Sequence, residues 1–262
     1  ICCFLWKEDI FQPQKILMIW KSLLVLNYSF SKTFHPIVDS QLKSRRFGFL
    51  AADTSRTRAY LKEMERKNIL PSWVLFLTPR KNDKVLGQHE EKSIIPSFDP
   101  DWPEAFFNPN KPLESWFQKL KLPFNKIITS DVNEYKVLRS LKLRAEELVV
   151  YSGYGGSILG EKILSINKKF LHIHGGYLPD FKGSTTNYFS LLSESTIGAS
   201  AIILDKEIDR GPLVAREKFK PPLNRADLDH FYDPAVRARL LLKVLNQFQD
   251  NGLIGFEKLK QE

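Results

Sequence analysis

Three side chains in this sequence are suited to moving protons near neutral pH: His172, His174 and Asp209. The two histidines sit in the apolar run from Phe170 to His174. Alternate side chains of a β-strand share a face, so both imidazoles point the same way. Gly175, Gly176 and Pro179 follow and break the strand, which leaves the imidazoles at its end beside an irregular loop. Asp209 stands in a second turn, just before Gly211 and Pro212. Ligands of open α/β sheets bind at such carboxyl ends. The three groups therefore point to an enzyme.

The elements that must position them read as alternating strands and helices. Residues 47–52 form a short apolar strand, Asp53 to Ser55 offer an N-cap, and residues 56–67 read as a helix stopped by Pro71. Residues 73–78 form a second buried strand, completing a β-α-β unit of a parallel sheet. The stretch 80–112 is rich in Pro, Asn, Asp and charge and reads as a long loop. A strand at 126–129, a cap at Asp131, a helix over 132–143 and a buried strand over 148–151 follow. The Gly-rich turn 152–157 and a short helix at 160–166 lead into the histidine strand. Beyond it come a helix at 188–194, a strand at 199–204 and an apolar helix over 235–250. The expected fold is α/β: a Rossmann-like open, mostly parallel sheet with helices on both faces and a short helical C-terminal extension. The expected division is an N-terminal extension over 1–45, a catalytic domain over 46–220 and the extension over 221–262. Residues 15–26 carry a helical pattern, the one structural signal in the first segment.

Composition narrows the partners. The chain has 262 residues, 43% hydrophobic and 26% charged, which is ordinary for a soluble globular protein. Its formal charge of +9 favours a phosphorylated or polyanionic partner. The basic residues are scattered, however, and the densest groups, at 43–46 and 80–84, are short, so no nucleic-acid partner is expected. Cys2 and Cys3 are adjacent, which suits neither a disulfide nor zinc and fits the cytoplasm. The apolar segment 16–30 is interrupted by Lys21 and falls short of a membrane span, so no membrane partner is expected.

From Leu148 to Pro212 the sequence resembles the catalytic core of the folate-dependent formyltransferases, and the order of elements agrees over roughly 46–220. In that family a strand and pterin-binding turn precede a strand of the form Asn-x-His, a Ser-Leu-Leu-Pro loop with a following Gly, and an Asp-x-Gly turn. Here residues 152–159 stand at the pterin turn, His174 at the family histidine, Tyr177 to Pro179 with Gly183 at the loop, and Asp209 with Gly211 at the carboxylate turn. Order, spacing and residue type agree together. His172 replaces the family asparagine, and Gly175-Gly176 replaces the usual Pro-Ser.

The resemblance implies formyl transfer from 10-formyltetrahydrofolate to a primary amine, with no metal. His174 would accept the amine proton or stabilise the oxyanion, Asp209 would orient His174, and His172 would serve as an oxyanion donor through an imidazole N–H. Tyr154, Gly155, Ser157, Ile158 and Leu159, with Leu204, Asp205, Lys206 and Glu207, would hold the pterin, largely through main-chain groups. Initiator-tRNA enzymes of the family carry a C-terminal β-barrel, which the roughly forty helical residues after Pro222 do not suggest. Glycinamide-ribonucleotide enzymes have a Gly- and Ser-rich loop after the first strand, where this chain reads Ala51-Ala-Asp-Thr-Ser-Arg56. The expected acceptor is therefore the amino group of a nucleotide-linked deoxyamino sugar destined for a surface polysaccharide such as lipopolysaccharide. The oligomeric state is open, a homodimer included.

Other readings rank lower. Hydrolysis of formyltetrahydrofolate uses the same site with water as acceptor, and a binding protein with a decayed site would retain folate without turnover. A His-x-His pair also chelates zinc, but His35, His89 and His230 sit in no ligand motif, so a metallohydrolase ranks well below. Residues 152–157 lack the Gly-Lys-Ser/Thr ending of a nucleotide phosphate loop. Arg237 and Arg239 read as a solvated helix flank rather than a phosphate site, and Trp102, Phe106, Phe107, Trp116 and Phe117 as residues seating a loop on the core.

Overall fold

A computed structural model describes residues 45–85, 107–221 and 228–252. The helical pattern at 15–26, His35, His89, Trp102 and Phe106 lie outside the described residues.

The chain runs β1 (Phe47–Ala52), α1 (Ser55–Lys67), β2 (Trp73–Thr78), α2 (Leu113–Lys119), β3 (Phe124–Ile128), α3 (Tyr135–Lys142), β4 (Leu148–Ser152) and α4 (Glu161–Leu164). It continues through β5 (Lys169–His174), α5 (Thr186–Glu194), β6 (Ile197–Ile203), β7 (Leu213–Phe219) and α6 (Asp233–Asn251), the last preceded by one π-helical turn at Leu228–Tyr232. The seven strands form one sheet in the order β3-β2-β1-β4-β5-β6-β7. Strands β1 to β5 pair in parallel, whereas β5–β6 and β6–β7 are antiparallel. This is the mostly parallel open sheet that the alternating pattern predicts.

The chain winds outward from β1 to β3 and then returns to continue from β4 on the other side of β1. The direction of winding therefore reverses between β1 and β4, and a crevice opens there at the carboxyl ends of the strands. Ala52, Ser152 and His174 all end their strands at that edge.

Two apolar layers fix the sheet. On one face Phe47, Phe49 and Ala51 of β1 pack with Tyr60 and Met64 of α1 and with Val236, Leu240, Leu241, Val244, Leu245 and Phe248 of α6. On the other, Leu50 and Ala52 meet Val137, Leu138 and Leu141 of α3 and Ile163 of α4. Helix α6, expected as part of an extension, thus shares its core with β1, each large side chain adding about 1.5–3 kcal/mol by burial. Among the five loop aromatics, Phe107, Trp116 and Phe117 belong to that core as expected, and Phe107 stacks on Phe231 at 4.8 Å.

Local signals explain the boundaries. Thr54 caps α1 by accepting from the Thr57 N–H at 3.2 Å, and Asn68 ends the helix in the left-handed region at φ 54°. Helix α3 starts at Tyr135 rather than 132 because Asp131 is held in a turn: its carboxylate accepts from the Asn133 N–H at 2.8 Å. Helix α2 and strand β7 were not expected. Strand β7 is an edge strand carrying Arg216, Glu217 and Lys218, charges that suit an exposed sheet edge and mask its period.

Candidate active site

At the switch point the loops after β4, β5 and β6, with the starts of α1, α5 and α6, enclose a cleft of about 370 Å³. His172, His174 and Asp209 all line it. Leu171 and Ile173 face the α1–α6 layer and Phe170 the opposite one, so the two histidines share the Phe170 face as period two requires. A narrower arm of about 110 Å³ continues between Ser157, Ile158 and Leu159 on one wall and Leu204, Asp205, Lys206 and Glu207 on the other. Tyr151, Ser157, Ile158, His172, Ile208 and Asp209 line both spaces. Tyr154 and Gly155 line the main cleft but not the arm, and the Tyr154 hydroxyl is turned inward to donate to the Leu77 carbonyl at 3.0 Å.

His174 is 5% exposed. Its Nε2 lies 2.9 Å from the Phe181 carbonyl oxygen and its Nδ1 3.3 Å from Asp209 Oδ1. Burial lowers its pKa, while Asp209 and the Phe181 carbonyl pull in the other direction without overcoming it. Asp209 has φ 56°, a left-handed conformation uncommon outside glycine and one often held at functional positions. Its Oδ2 accepts from the Gly183 N–H at 3.0 Å, so one carboxylate ties the loop after β5 to the turn before β7.

His172 is held differently. Its Nδ1 faces the Tyr151 carbonyl oxygen at 3.4 Å, and its ring lies 6.0 Å from that of Tyr151. Burial, then the positive charges of Arg56 and Arg237, push its pKa well below the ordinary value, so it is neutral at pH 7.

Two arginines flank the histidines. Arg56 of α1 donates to Ser152 Oγ at 3.3 Å and to the Gly153 carbonyl, and it has no carboxylate ion pair among the described residues. Arg237 of α6 pairs through Nε with Asp233 Oδ2 at 2.8 Å and donates to the Ile173 carbonyl at 3.2 Å. Arg237 is therefore no solvated flank: its side chain is 17% exposed and lines the cleft, which corrects the expectation from sequence. Neither arginine carried a motif, since they converge only when α1 and α6 pack on the same face. Asp233 also accepts from Asn187 Nδ2 at 2.7 Å, and Asn187 Oδ1 accepts from the Gly198 N–H at 2.9 Å.

The Gly-Gly pair after His174 has a packing cause. A Cβ on Gly175 would collide with the Arg237 guanidinium and Asp233, and one on Gly176 with the Phe181 carbonyl and the His174 ring. The glycines let an ion pair and a histidine hydrogen bond approach the strand end closely. Among the described residues no group of three His, Cys, Asp or Glu side chains is placed to hold a metal, and no helix is long and apolar enough to cross a membrane.

A family model described as "Formyl transferase" matches residues 46–224. A methionyl-tRNA formyltransferase of Finegoldia magna is 25% identical over 133 residues, covering 50% of this chain and 43% of the relative. A formyltetrahydrofolate deformylase of a Corynebacterium species is 28% identical over 102 residues, 38% of this chain and 33% of the relative. The chain thus spans less than half the length of either relative. Among solved structures, phosphoribosylglycinamide formyltransferase of Streptococcus pneumoniae superposes with TM-score 0.52 at 14% identity, over 78% of this chain and 98% of that one. A sugar N-formyltransferase of a Shewanella species gives TM-score 0.50 at 14% identity, over 82% and 73%. At such identities these likenesses concern the fold alone.

Proposed function

The chain belongs to the formyl transferase family, and on that premise we propose that it transfers a formyl group from 10-formyltetrahydrofolate to a primary amine. The observation that carries this is the shared wall: His172 and Asp209 line both the narrow arm and the main cleft. Two substrates entering from the two spaces would meet at those groups. The arm fits a flat heteroaromatic ring, because Ile158, Leu159, Leu204 and Ile208 supply apolar contact and the turns at 157–159 and 204–207 supply main-chain donors and acceptors. The amine would enter from the main cleft.

The chemistry is a direct acyl transfer. The amine nitrogen attacks the formyl carbon, a C–N bond forms and negative charge develops on the formyl oxygen. The bond from carbon to N10 of the folate then breaks, and the proton lost by the amine ends on N10, leaving a formamide and tetrahydrofolate. Buried donors and positive charge at the junction lower that barrier, one well-placed oxyanion donor contributing about 3–4 kcal/mol. His174, Asp209 and His172 are the groups we assign to this step.

For the acceptor we propose a nucleotide-linked deoxyamino sugar, used in the cytoplasm. Three features support it. The position after β1 carries Thr54 as a helix cap and Arg56 turned toward the Gly153 carbonyl, in place of a Gly- and Ser-rich loop. The cleft holds two guanidinium groups against an excess chain charge of +9, which suits an anionic acceptor. Asp229 lines the same cleft and can accept a hydrogen bond from the amine N–H.

The test is product identification by mass spectrometry after incubating the protein with 10-formyltetrahydrofolate and, in separate arms, UDP- or dTDP-linked amino sugars, initiator methionyl-tRNA and no amine. A formylated sugar supports the proposal. Formyl-methionyl-tRNA overturns the sugar acceptor, formate released equally without amine overturns transfer in favour of hydrolysis, and absence of turnover overturns the enzymatic reading.

A further inference from the structure

The two histidines are not equivalent, and their hydrogen-bond surroundings divide the proton work between them. Both ring nitrogens of His174 are committed: Nε2 faces the Phe181 carbonyl at 2.9 Å and Nδ1 faces Asp209 Oδ1 at 3.3 Å. A carbonyl oxygen can only accept, so Nε2 carries its hydrogen toward Phe181. Nδ1 is turned to the Asp209 carboxylate, so neither ring nitrogen of His174 is open to an incoming amine.

His172 has the opposite arrangement. Its Nδ1 faces the Tyr151 carbonyl at 3.4 Å, which again requires the hydrogen on that nitrogen. In a neutral imidazole Nε2 then bears the lone pair, and it has no hydrogen-bond partner among the described residues. His172 also lies on the wall common to the arm and the main cleft, whereas His174 lines the main cleft alone.

We propose that His172 is the proton shuttle of this enzyme: its Nε2 takes the proton from the attacking amine and returns it to the departing folate N10. Resting on the transfer reading above, this reverses the role expected from sequence, in which His172 donates to the oxyanion. An asparagine amide in its place has no nitrogen lone pair to accept a proton, so the inference concerns chemistry that belongs to this chain.

The atoms balance. As the amine–carbon bond forms, the amine N–H electron pair stays on nitrogen and the proton moves to Nε2, making an imidazolium. As the carbon–N10 bond breaks, its electron pair goes to N10 and the proton moves there from Nε2. His172 ends as it began, neutral.

The charged groups facing His172 keep it in the base form. Arg56 comes from α1, Arg237 with its partner Asp233 from α6, His174 from the same strand and Asp209 from the turn before β7, with the Tyr151 ring from β4. Burial and the two arginines hold the neutral form at pH 7, so an amine meets an unprotonated nitrogen.

The experiment measures kcat and kcat/KM for wild type, H172N, H172G and R56M with 10-formyltetrahydrofolate and a UDP- or dTDP-linked amino sugar, from pH 5 to 9, after each variant is shown to be folded by its thermal melt. The shuttle predicts that H172N loses about a hundredfold or more in kcat. It predicts that added imidazole restores part of the rate of H172G, and that R56M moves the acid limb of kcat/KM to higher pH. H172N within about threefold of wild type overturns the shuttle and restores the oxyanion-donor role. A folded H172G that imidazole does not rescue, or an acid limb unmoved in R56M, overturns it as well. Absence of formylated sugar with wild type overturns the sugar acceptor, and absence of any formylated amine overturns the transfer reading; neither outcome is a loss confined to the His172 variants, so the failures are distinguishable.

Discussion

Asp209 concentrates the residue-scale logic. It is 12% exposed, held at φ 56°, and divides its two oxygens between His174 and the Gly183 N–H. Replacing it with Asn keeps the shape and removes the charge opposite His174 Nδ1. D209N is therefore expected to lower kcat by about a hundredfold or more while KM for the folate changes little, a split that steady-state kinetics reads directly. Retention of wild-type kcat in D209N contradicts the pairing. His172, His174 and Asp209 were legible in the sequence because period two and the Gly and Pro turns place them at strand ends. Arg56 and Arg237 were not legible. Each lies on a helix where spacing alone suggests a solvated cation, and only the packing of α1 and α6 on one sheet face turns both toward His172.

Among elements, the strand-to-loop junction after β5 is the most constrained. Gly175 passes directly beneath the Arg237–Asp233 pair, which leaves no space for a methyl group. G175A is expected to displace that pair and cost about 1–3 kcal/mol through overpacking, lowering the thermal midpoint and raising KM for the acceptor before that for the folate. An unchanged midpoint with unchanged acceptor KM contradicts this account of the glycine. The parallel β-α-β elements were readable because their strands are continuous apolar runs bounded by caps and prolines. Strand β7 escaped because its alternation is overlaid by the charges that protect a sheet edge, and α2 because seven residues inside a polar stretch give too short a period.

For the whole molecule, burial of the sheet between its two apolar layers sets stability, and one buried acid makes that stability depend on pH. Glu146, with a side chain 6% exposed, accepts from Ser72 Oγ at 2.7 Å and Trp73 Nε1 at 2.5 Å and pairs with Arg46 at 3.2 Å. Burial alone would raise its pKa, but these hydrogen bonds and Arg46 outweigh burial and hold it below the ordinary carboxylate value. A depressed folded pKa means the stabilisation is present above the unfolded value of about 4.3 and is lost as pH falls through the folded one. Urea titrations should therefore show wild type losing stability in that acid window and E146Q losing less of it. E146A should cost about 1–3 kcal/mol at pH 7 by leaving the buried Trp73 N–H unpaired. An equal acid slope in wild type and E146Q contradicts this role for Glu146.

The central claim is that donor and acceptor meet where the narrow arm opens into the main cleft. A crystal structure with a stable analogue of 10-formyltetrahydrofolate bound tests it most directly. The account predicts the pterin between residues 157–159 and 204–207, with the N10 position turned toward His172 and Asp209. A folate seated elsewhere, or one whose N10 faces away from those two side chains, would contradict it.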